Sequence, residues 1–405
     1  MIAVLFHRLG PYHQARLRAA SALMPLVAVQ GCTMDRTYAW AHVEGDPGFP
    51  VETLFDDGDS DDRGSGEIIT RIASVLDRVQ PKVVVIPGWS ANIALCALTW
   101  CRENQVPAVV MSDSTAWDLE QRPWWRETIK RRLLCGFSSA LVAGTPHAAY
   151  MRQLGMPEDR IFLGYDAVDN VYFESRTSNS GGRNENLIGA GGSPKRHFIV
   201  SARFIPEKNL HSLINAYQCY QDACATRRVK DEGLTAWDLV IIGDGPLRES
   251  VLEDRSALGL EESIHLEGFR QYDELPDFYA AASCLILPSI SETWGLVVNE
   301  AMASGLPVLV SNRCGCAQDL VQDGINGYTF DPYDVEQLAQ LMHRLTEAPK
   351  HRLSEMGDAS RAIIADWGPE RFASGLKQAL ECALEVGPKR ASLLQRMILK
   401  VLLWR

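Results

Sequence analysis

Positive charge is what this chain is short of. Its 405 residues carry 40 Lys and Arg against 51 Asp and Glu, a formal net charge of −11. Such a balance argues against general affinity for nucleic acid, where a basic face must displace counterions, though it leaves room for a local basic pocket. No C-x-x-C pair occurs among the ten cysteines, and several sit in apolar runs such as Ala282 to Ile286. That usage fits reduced, partly buried thiols rather than a disulfide framework. Cys314-Gly315-Cys316 is the one close pair, either a metal or redox element or a glycine-bearing turn. No stretch approaches the roughly 20 apolar residues of a membrane span. The start of the chain lacks the positive end, long apolar core and cleavage site of a signal peptide, meeting His7-Arg8 directly after Ile2 to Phe6. The expected location is therefore cytoplasmic, or peripheral at the inner face of a membrane.

What is present is a globular composition, 46% hydrophobic and 22% charged, on a length suited to two or three domains. Ile2 to Phe6, Val83 to Ile86, Ala108 to Met111 and Ala140 to Ala143 read as strands, with helices over Tyr12 to Met24 and Ala91 to Asn104. Apolar strands without polar alternation, separated by helices, predict a parallel sheet covered on both faces. Ser175 to Arg196 is rich in Gly, Ser and Asn and predicts a linker or exposed loop. The rhythm then restarts. Strands are expected at His197 to Ala202, Trp237 to Ile242, Ile264 to Leu266, Cys284 to Leu287 and Pro307 to Val310. Helices are expected at Lys208 to Ala225, from Pro246, at Asp273 to Ala282 and at Gly295 to Ser304. Two doubly wound units in tandem place ligands at the carboxyl ends of their sheets.

Four clusters follow strands of the second half. Arg203 and Lys208, in Ala202-Arg203-Phe204-Ile205-Pro206-Glu207-Lys208-Asn209, offer cations beside helix amides, which suits a diphosphate or is merely a solvated loop. Gly243-Asp244-Gly245-Pro246 allows close approach to a ligand, or makes a tight strand-to-helix turn. The strongest is Pro288 to Gly305, which puts Glu292 in a loop and Glu300 in the following helix, flanked by Gly295, Leu296 and Asn299. Ionised carboxylates only accept hydrogen bonds, as the diols of a sugar or ribose require. Ser311 to Gly315 is a further loop on the same edge, and Gly324 to Phe330 reads as a hairpin-like turn.

Together these residues resemble the donor half of the family 4 retaining glycosyltransferases of the GT-B fold. The resemblance rests on Glu292 and Glu300 at E-x7-E spacing, the following Ala-Met-Ala-Ser-Gly-Leu-Pro-Val segment, Arg203 with Lys208-Asn209, and Gly243 to Pro246. It covers Phe198 to Pro332, about a third of the chain. It implies an α/β architecture of two Rossmann-like doubly wound parallel-sheet domains facing each other across a cleft. The expected boundaries are an acceptor-side domain at 1–175, a linker at 176–196, a nucleotide-sugar domain at 197–367 and C-terminal helices at 368–405, either separate or crossing back. By the same resemblance Arg203 and Lys208 bind the donor phosphates, Glu300 the ribose and Glu292 the donor sugar, with Gly243, Gly245, Gly295 and Leu296 lining the donor site.

The N-terminal half resembles the family less. Gly10 occupies the loop after the first strand, which in such enzymes approaches donor and acceptor. Many relatives place a histidine after the strand at Val109 to Met111, where this chain has Ser112-Asp113-Ser114. Asp113 is the candidate catalytic substitute beside Glu292, or it caps a turn. His7 and His13 are lone histidines, His13 being placed on the acceptor side with Trp117. Trp117-Asp118 and Arg122 to Arg126 form an acceptor wall or simply pack a helix. The acidic run Phe55 to Gly64 fails the calcium-loop pattern, and its Asp57-Gly58-Asp59 is similar to the triplet of metal-dependent transferases of another fold; it reads as a solvated loop or a metal site. Lys389 to Arg405 holds five cations and no anion, with Leu393, Leu394, Met397, Ile398, Val401, Leu402 and Trp404 forming much of one helical face. It either lies on an anionic membrane or packs on the N-terminal domain.

The expected reaction is transfer of a sugar from a nucleotide-diphosphate donor to a hydroxyl of a sugar or lipid-linked acceptor. The nucleotide sugar is a co-substrate, and no cofactor or metal is called for. Retention follows from the resemblance, since no pair of carboxylates flanking an anomeric carbon is identifiable. Rival readings are a nucleotide-sugar epimerase or phosphorylase of the same fold, and a non-catalytic sugar-nucleotide-binding protein.

Overall fold

The central strands in the first half are buried nearly along their whole length because helices cover both faces of their sheet. The computed structural model describes residues 1–33, 46–56, 58–118, 123–179, 196–228, 235–390 and 392–403. Most of the expected linker, together with Asp57, Arg122 and Trp404, lies outside them. The chain divides into two compact domains, Met1–Val168 with Trp367–Arg405, and Asp169–Asp366.

In the first domain, seven strands form an all-parallel sheet: β1 (Ile2–Phe6), β2 (Leu26–Cys32), β3 (Val51–Phe55), β4 (Val83–Pro87), β5 (Ala108–Ser112), β6 (Ser139–Val142) and β7 (Ile161–Leu163). Their order is β3-β2-β1-β4-β5-β6-β7, with Ile2 opposite both Leu26 and Val83. The intervening helices are α1 (Pro11–Leu23), α2 (Ser65–Val79), α3 (Asn92–Glu103), α4 (Trp124–Leu134) and α5 (Thr145–Gln153). On α2, the apolar Ile68, Ile72, Val75 and Leu76 recur at helical spacing and are the buried face. Pro11 starts α1 and Pro25 follows its last turn, as the sequence leads one to expect.

The second domain opens with α6 (Asn170–Asn179) and carries six parallel strands: β8 (His197–Ser201), β9 (Asp238–Ile242), β10 (Ile264–Gly268), β11 (Cys284–Leu287), β12 (Val308–Ser311) and β13 (Gly327–Phe330). Their order is β10-β9-β8-β11-β12-β13. Helices α7 (Leu210–Arg228), α8 (Arg248–Ala257), α9 (Leu275–Ala281), α10 (Leu296–Ala303), α11 (Ala317–Leu320), α12 (Val335–Glu347) and α13 (Lys350–Ile364) complete it. Then α14 (Pro369–Val386) and α15 (Leu393–Leu403) belong to the first domain.

The structure departs from expectation in two places. Gly324 to Phe330 is not a hairpin: Gly327–Phe330 is the edge strand β13, paired parallel with β12, and the Gly324 amide only closes the turn before it, at 2.8 Å to the Gly327 carbonyl. The domains divide at Val168, before the expected 175, because α6 packs on α9 and α10. Tyr172 stacks on Tyr272 at 4.9 Å, and the Asn170 side chain donates to the Ile364 carbonyl at 2.7 Å. The C-terminal helices, expected either separate or crossing back, belong to the first domain, where Phe372, Leu376, Ala379, Leu380 and Ala383 of α14 bury at helical spacing against α1, β6 and β7. Gly375 allows this seat, since an added Cβ would strike the Leu163 carbonyl.

Candidate functional site

The chain runs β8 to β9 to β10 on one side of the second sheet and then crosses to β11 on the other. The carboxyl ends of β8 and β11 therefore flank the topological switch point, where open parallel sheets bind ligands. Lys208 comes from the loop after β8 and Glu292 from the loop after β11, and the ammonium of Lys208 donates directly to the Glu292 carboxylate. Their side chains are 15% and 16% exposed, enough for a ligand to reach either. The Ser289 hydroxyl lies 3.5 Å from the same carboxylate oxygen. Lys208 does not begin the helix, as expected, but ends a single 3-10 turn, Pro206–Lys208. Asn209 then turns left-handed (φ 55°), and its side-chain amide donates to the Pro288 and Pro332 carbonyls at 3.2 and 2.8 Å. That one side chain fastens the loop bearing Lys208 to those following β11 and β13. Arg203 is exposed, two residues past the end of β8.

The glycines of this edge serve loop-to-loop packing. At Gly243 (φ +134°) a Cβ would overlap the Ala202 carbonyl, and at Gly245 (φ +153°) it would lie 2.7 Å from the Phe204 carbonyl oxygen. Of the two readings of this motif, close approach holds, but what it admits is the Ala202–Phe204 loop. Gly295, also left-handed (φ +101°), caps α10 and leaves room for Leu287, Glu292 and Cys316. Cys314-Gly315-Cys316 is a turn whose amides hold this loop: Gly315 donates to the Glu292 carbonyl at 3.0 Å and Cys316 to that of Trp294 at 3.1 Å. Burial, with the nearby Glu292 charge adding to it, pushes both thiols well above their usual range.

Glu300 projects from α10 into the interior. It has no exposed surface and accepts from the Tyr279 hydroxyl at 2.6 Å. Burial, followed by the Glu300 charge, raises the Tyr279 phenol well above its usual value, so it remains a donor. Trp294 donates its indole N–H to Asn299 at 2.9 Å, joining the Glu292 loop to the helix that bears Glu300. The sequence reading missed Tyr279, and it named Asn209 with Lys208 without giving it a role. Asn209 followed directly after Lys208, and a short polar side chain tolerant of the left-handed region is the signal that was available.

In the first domain the switch point lies between β1 and β4. Gly10 precedes α1, and its amide donates to His13 Nδ1 at 3.1 Å. Gly144 and His147 repeat the arrangement at α5, at 3.2 Å. A histidine at the third helical position here does what Glu or Gln does in a capping box. Burial, then the Arg16 charge, lowers the His13 pKa to about 3, so the ring is neutral with its proton on Nε2. Arg16 is itself buried and pairs with Asp166 at 3.2 Å. Asp113 is half-buried after β5; the cap of its turn is Ser112, whose Oγ accepts from the Ser114 amide at 3.2 Å. Trp117 is half-buried, whereas Trp124 and Trp125 at the start of α4 are 78% and 42% exposed and do not pack the helix down. The expected face of α15 splits: Ile398 and Leu402 pack on the core with buried Leu399, while Leu393, Leu394, Met397 and Val401 face solvent. Among the described residues no helix is long and apolar enough to cross a membrane.

Two Rossmann-like domains with parallel sheets of seven and six strands define the GT-B architecture. Residues 189–362 match the family model "Glycosyl transferases group 1", and this stretch is a group 1 glycosyltransferase domain. The chain is similar to an uncharacterized glycosyltransferase of Haemophilus influenzae, 31% identical over 36% of this chain and 40% of that one. It is also similar to the sulfoquinovosyl transferase SQD2 of Arabidopsis thaliana, 42% identical over 26% of this chain and 21% of the relative. With the alpha-D-kanosaminyltransferase of Streptomyces kanamyceticus it shares 27% identity over 50% of this chain and 49% of the other. The matches thus span half or less of these relatives. Among solved structures, Anabaena Alr3699/HepE in complex with UDP and glucose superposes with a TM-score of 0.70 at 17% identity, covering 94% of this chain and 99% of that one. This last likeness extends the shared fold over both domains.

Proposed function

We propose that the chain transfers a hexosyl group, with retention, from a nucleoside-diphosphate sugar to a hydroxyl of a sugar or lipid-linked acceptor, in polysaccharide, glycolipid or other glycoconjugate synthesis. The observation that carries this reading is the Lys208–Glu292 pair at the switch point of a group 1 domain. Without donor, each charge compensates the other. A diphosphate would take over the Lys208 ammonium, joined by Arg203 and the α10 amides at Leu296, and would free the Glu292 carboxylate for sugar hydroxyls. Charge developing on the leaving diphosphate is then met by groups already in place, which supports a reaction with no metal in the donor site. Assigning the ribose to Glu300 carries a structural requirement: that carboxylate has no exposed surface, so the nucleotide must uncover it on binding. Retention rests on the likeness to family 4. We assign acceptor recognition to the first domain, through Gly10, neutral His13, Asp113 and Trp117.

Solved neighbours hold UDP and UDP-glucose, which makes these the first ligands to try. A thermal-shift panel of nucleotide sugars tests the site, because a ligand bound only by the folded state raises the melting point. Release of nucleoside diphosphate coupled to glycoside formation distinguishes transfer from epimerisation and phosphorolysis, and the anomeric coupling constant of the product reports retention. A panel in which no nucleotide shifts the melting point refutes the donor site. A second reading concerns location. Leu393, Leu394, Met397 and Val401 are 79%, 49%, 63% and 60% exposed on a helix that also bears Arg396 and Lys400, and this supports peripheral contact with an anionic membrane. Co-sedimentation with anionic but not neutral vesicles, lost in Met397→Glu, is the expected result.

A further inference from the structure

His7, Cys32 and the acidic run around Asp59 are far apart in sequence and unremarkable singly. His7 follows β1, Cys32 ends β2 and Asp59 follows β3, and because these strands are neighbours in the order β3-β2-β1, the three side chains meet at the carboxyl edge of the first sheet. His7 Nε2 lies 3.1 Å from Asp59 Oδ1 and 3.8 Å from Cys32 Sγ, and the three ligand atoms all fall within 4.8 Å of one another. Two of these separations are those of the edges of a tetrahedron about an ion with bonds of about 2.0–2.3 Å. Cys32 is fully buried, while Asp59 and His7 are 12% and 29% exposed, so the cluster is closed behind and open in front. A fourth group supports it. Ser60 Oγ stands 3.2 Å from His7 Nδ1, the outer-shell contact that fixes the ring of a metal-bound histidine. Gly31 makes the convergence sterically feasible, since a Cβ there would press on both the His7 carbonyl and Ser60 Oγ at 3.0 Å.

We propose that His7, Cys32 and Asp59 form a binding site for a divalent transition-metal ion of the zinc type, with the fourth position open to water. One nitrogen, one sulfur and one carboxylate oxygen suit borderline zinc and disfavour magnesium or calcium, which take oxygen ligands. Binding balances as follows. The Cys32 thiol loses its proton to solvent and becomes the sulfur ligand. His7 would bind through Nε2, giving up its contact with Asp59, and keep its Nδ1 toward Ser60 Oγ. Asp59 binds as the carboxylate it already is. Binding therefore releases the thiol proton to solvent. The site belongs to the first domain and does not rest on the donor reading: the ion would tie together the loops that follow three neighbouring strands.

The test uses the full chain, stripped with a chelator and dialysed. Zinc titrated against a chromogenic competitor should bind at one ion per chain. Cobalt in its place should give a thiolate-to-metal charge-transfer band and the intense visible bands of a four-coordinate ion. Cys32→Ser should remove the charge-transfer band and weaken zinc at least about 100-fold, and Ser60→Ala should weaken it about 10-fold. Asp59→Asn, on the more exposed side, provides the same reading should the Cys32 variant fail to fold. Zinc that binds no better than to the competitor, a cobalt spectrum without a thiolate band, or affinity unchanged in Cys32→Ser or Asp59→Asn would each overturn the proposal.

Discussion

The two sheets of this protein end alike and are furnished differently. At the β8/β11 switch point, opposite charges stand in contact, Lys208 against Glu292, partly open to solvent. At the β1/β4 switch point, the loop after β1 leads to His13, a neutral ring held so by burial and by Arg16. Both loops enter helices through short, restrained turns. On the donor reading proposed above, one sheet edge is suited to exchange a charge partner, while the other holds an uncharged, oriented group.

The largest effect that would break this contrast lies in Lys208. Lys208→Ala removes the phosphate cation and leaves Glu292 without its partner, so sugar transfer should fall about 10²–10³-fold in kcat/KM, the scale of losing one pre-placed electrostatic group. Retention of full activity in steady-state assays would show that the ion pair is only structural. Next comes the scaffold under that pair. Gly243→Ala forces a Cβ onto the Ala202 carbonyl at a φ of +134°, and should cost about 2–4 kcal/mol in denaturant unfolding, with the N-terminal sheet unaffected.

The pH response sharpens the other side. The folded-state pKa of His13, about 3, lies below its ordinary 6.5, so the unfolded chain binds the extra proton between those values. The stability it contributes is full above pH 6.5 and is lost as pH falls toward 3, with a slope of at most about 1.4 kcal/mol per pH unit. His13→Gln keeps an acceptor for the Gly10 amide and removes the titration, so its stability curve should be flatter across this window. Identical curves for the two proteins would contradict a neutral ring. Smallest is Tyr279→Phe, which takes one hydrogen bond from buried Glu300; unfolding should be easier by about 1–2 kcal/mol, with a larger relative loss of nucleotide affinity than of kcat.

Much of the second domain was legible because its apolar strands and the E-x7-E spacing are local signals. Cys284–Leu287 spans the residues expected of it, and β8, β9, β10 and β12 lie within a residue or two of expectation. The edge strand Gly327–Phe330 was not legible, since a glycine turn followed by alternating residues reads as a hairpin until its parallel neighbour is known. Likewise the strands Leu26–Cys32 and Val51–Phe55 were passed over, and with them the meeting of His7, Cys32 and Asp59. Periodicity reports the face a residue occupies, whereas strand order decides which distant loops adjoin. Nor did the sequence show that Gly243 and Gly245 pack against the backbone of the Ala202–Phe204 loop, which depends on where that loop lies.

The return of Pro369–Val386 to the first domain has a consequence for how the chain is made. Asp169–Asp366 is continuous and can fold as soon as it leaves the ribosome. The first domain must wait with Leu17, Ala20 and Leu141 uncovered until Phe372, Leu376 and Leu380 arrive, across a contact of high sequence separation. What is synthesised first is thereby finished last.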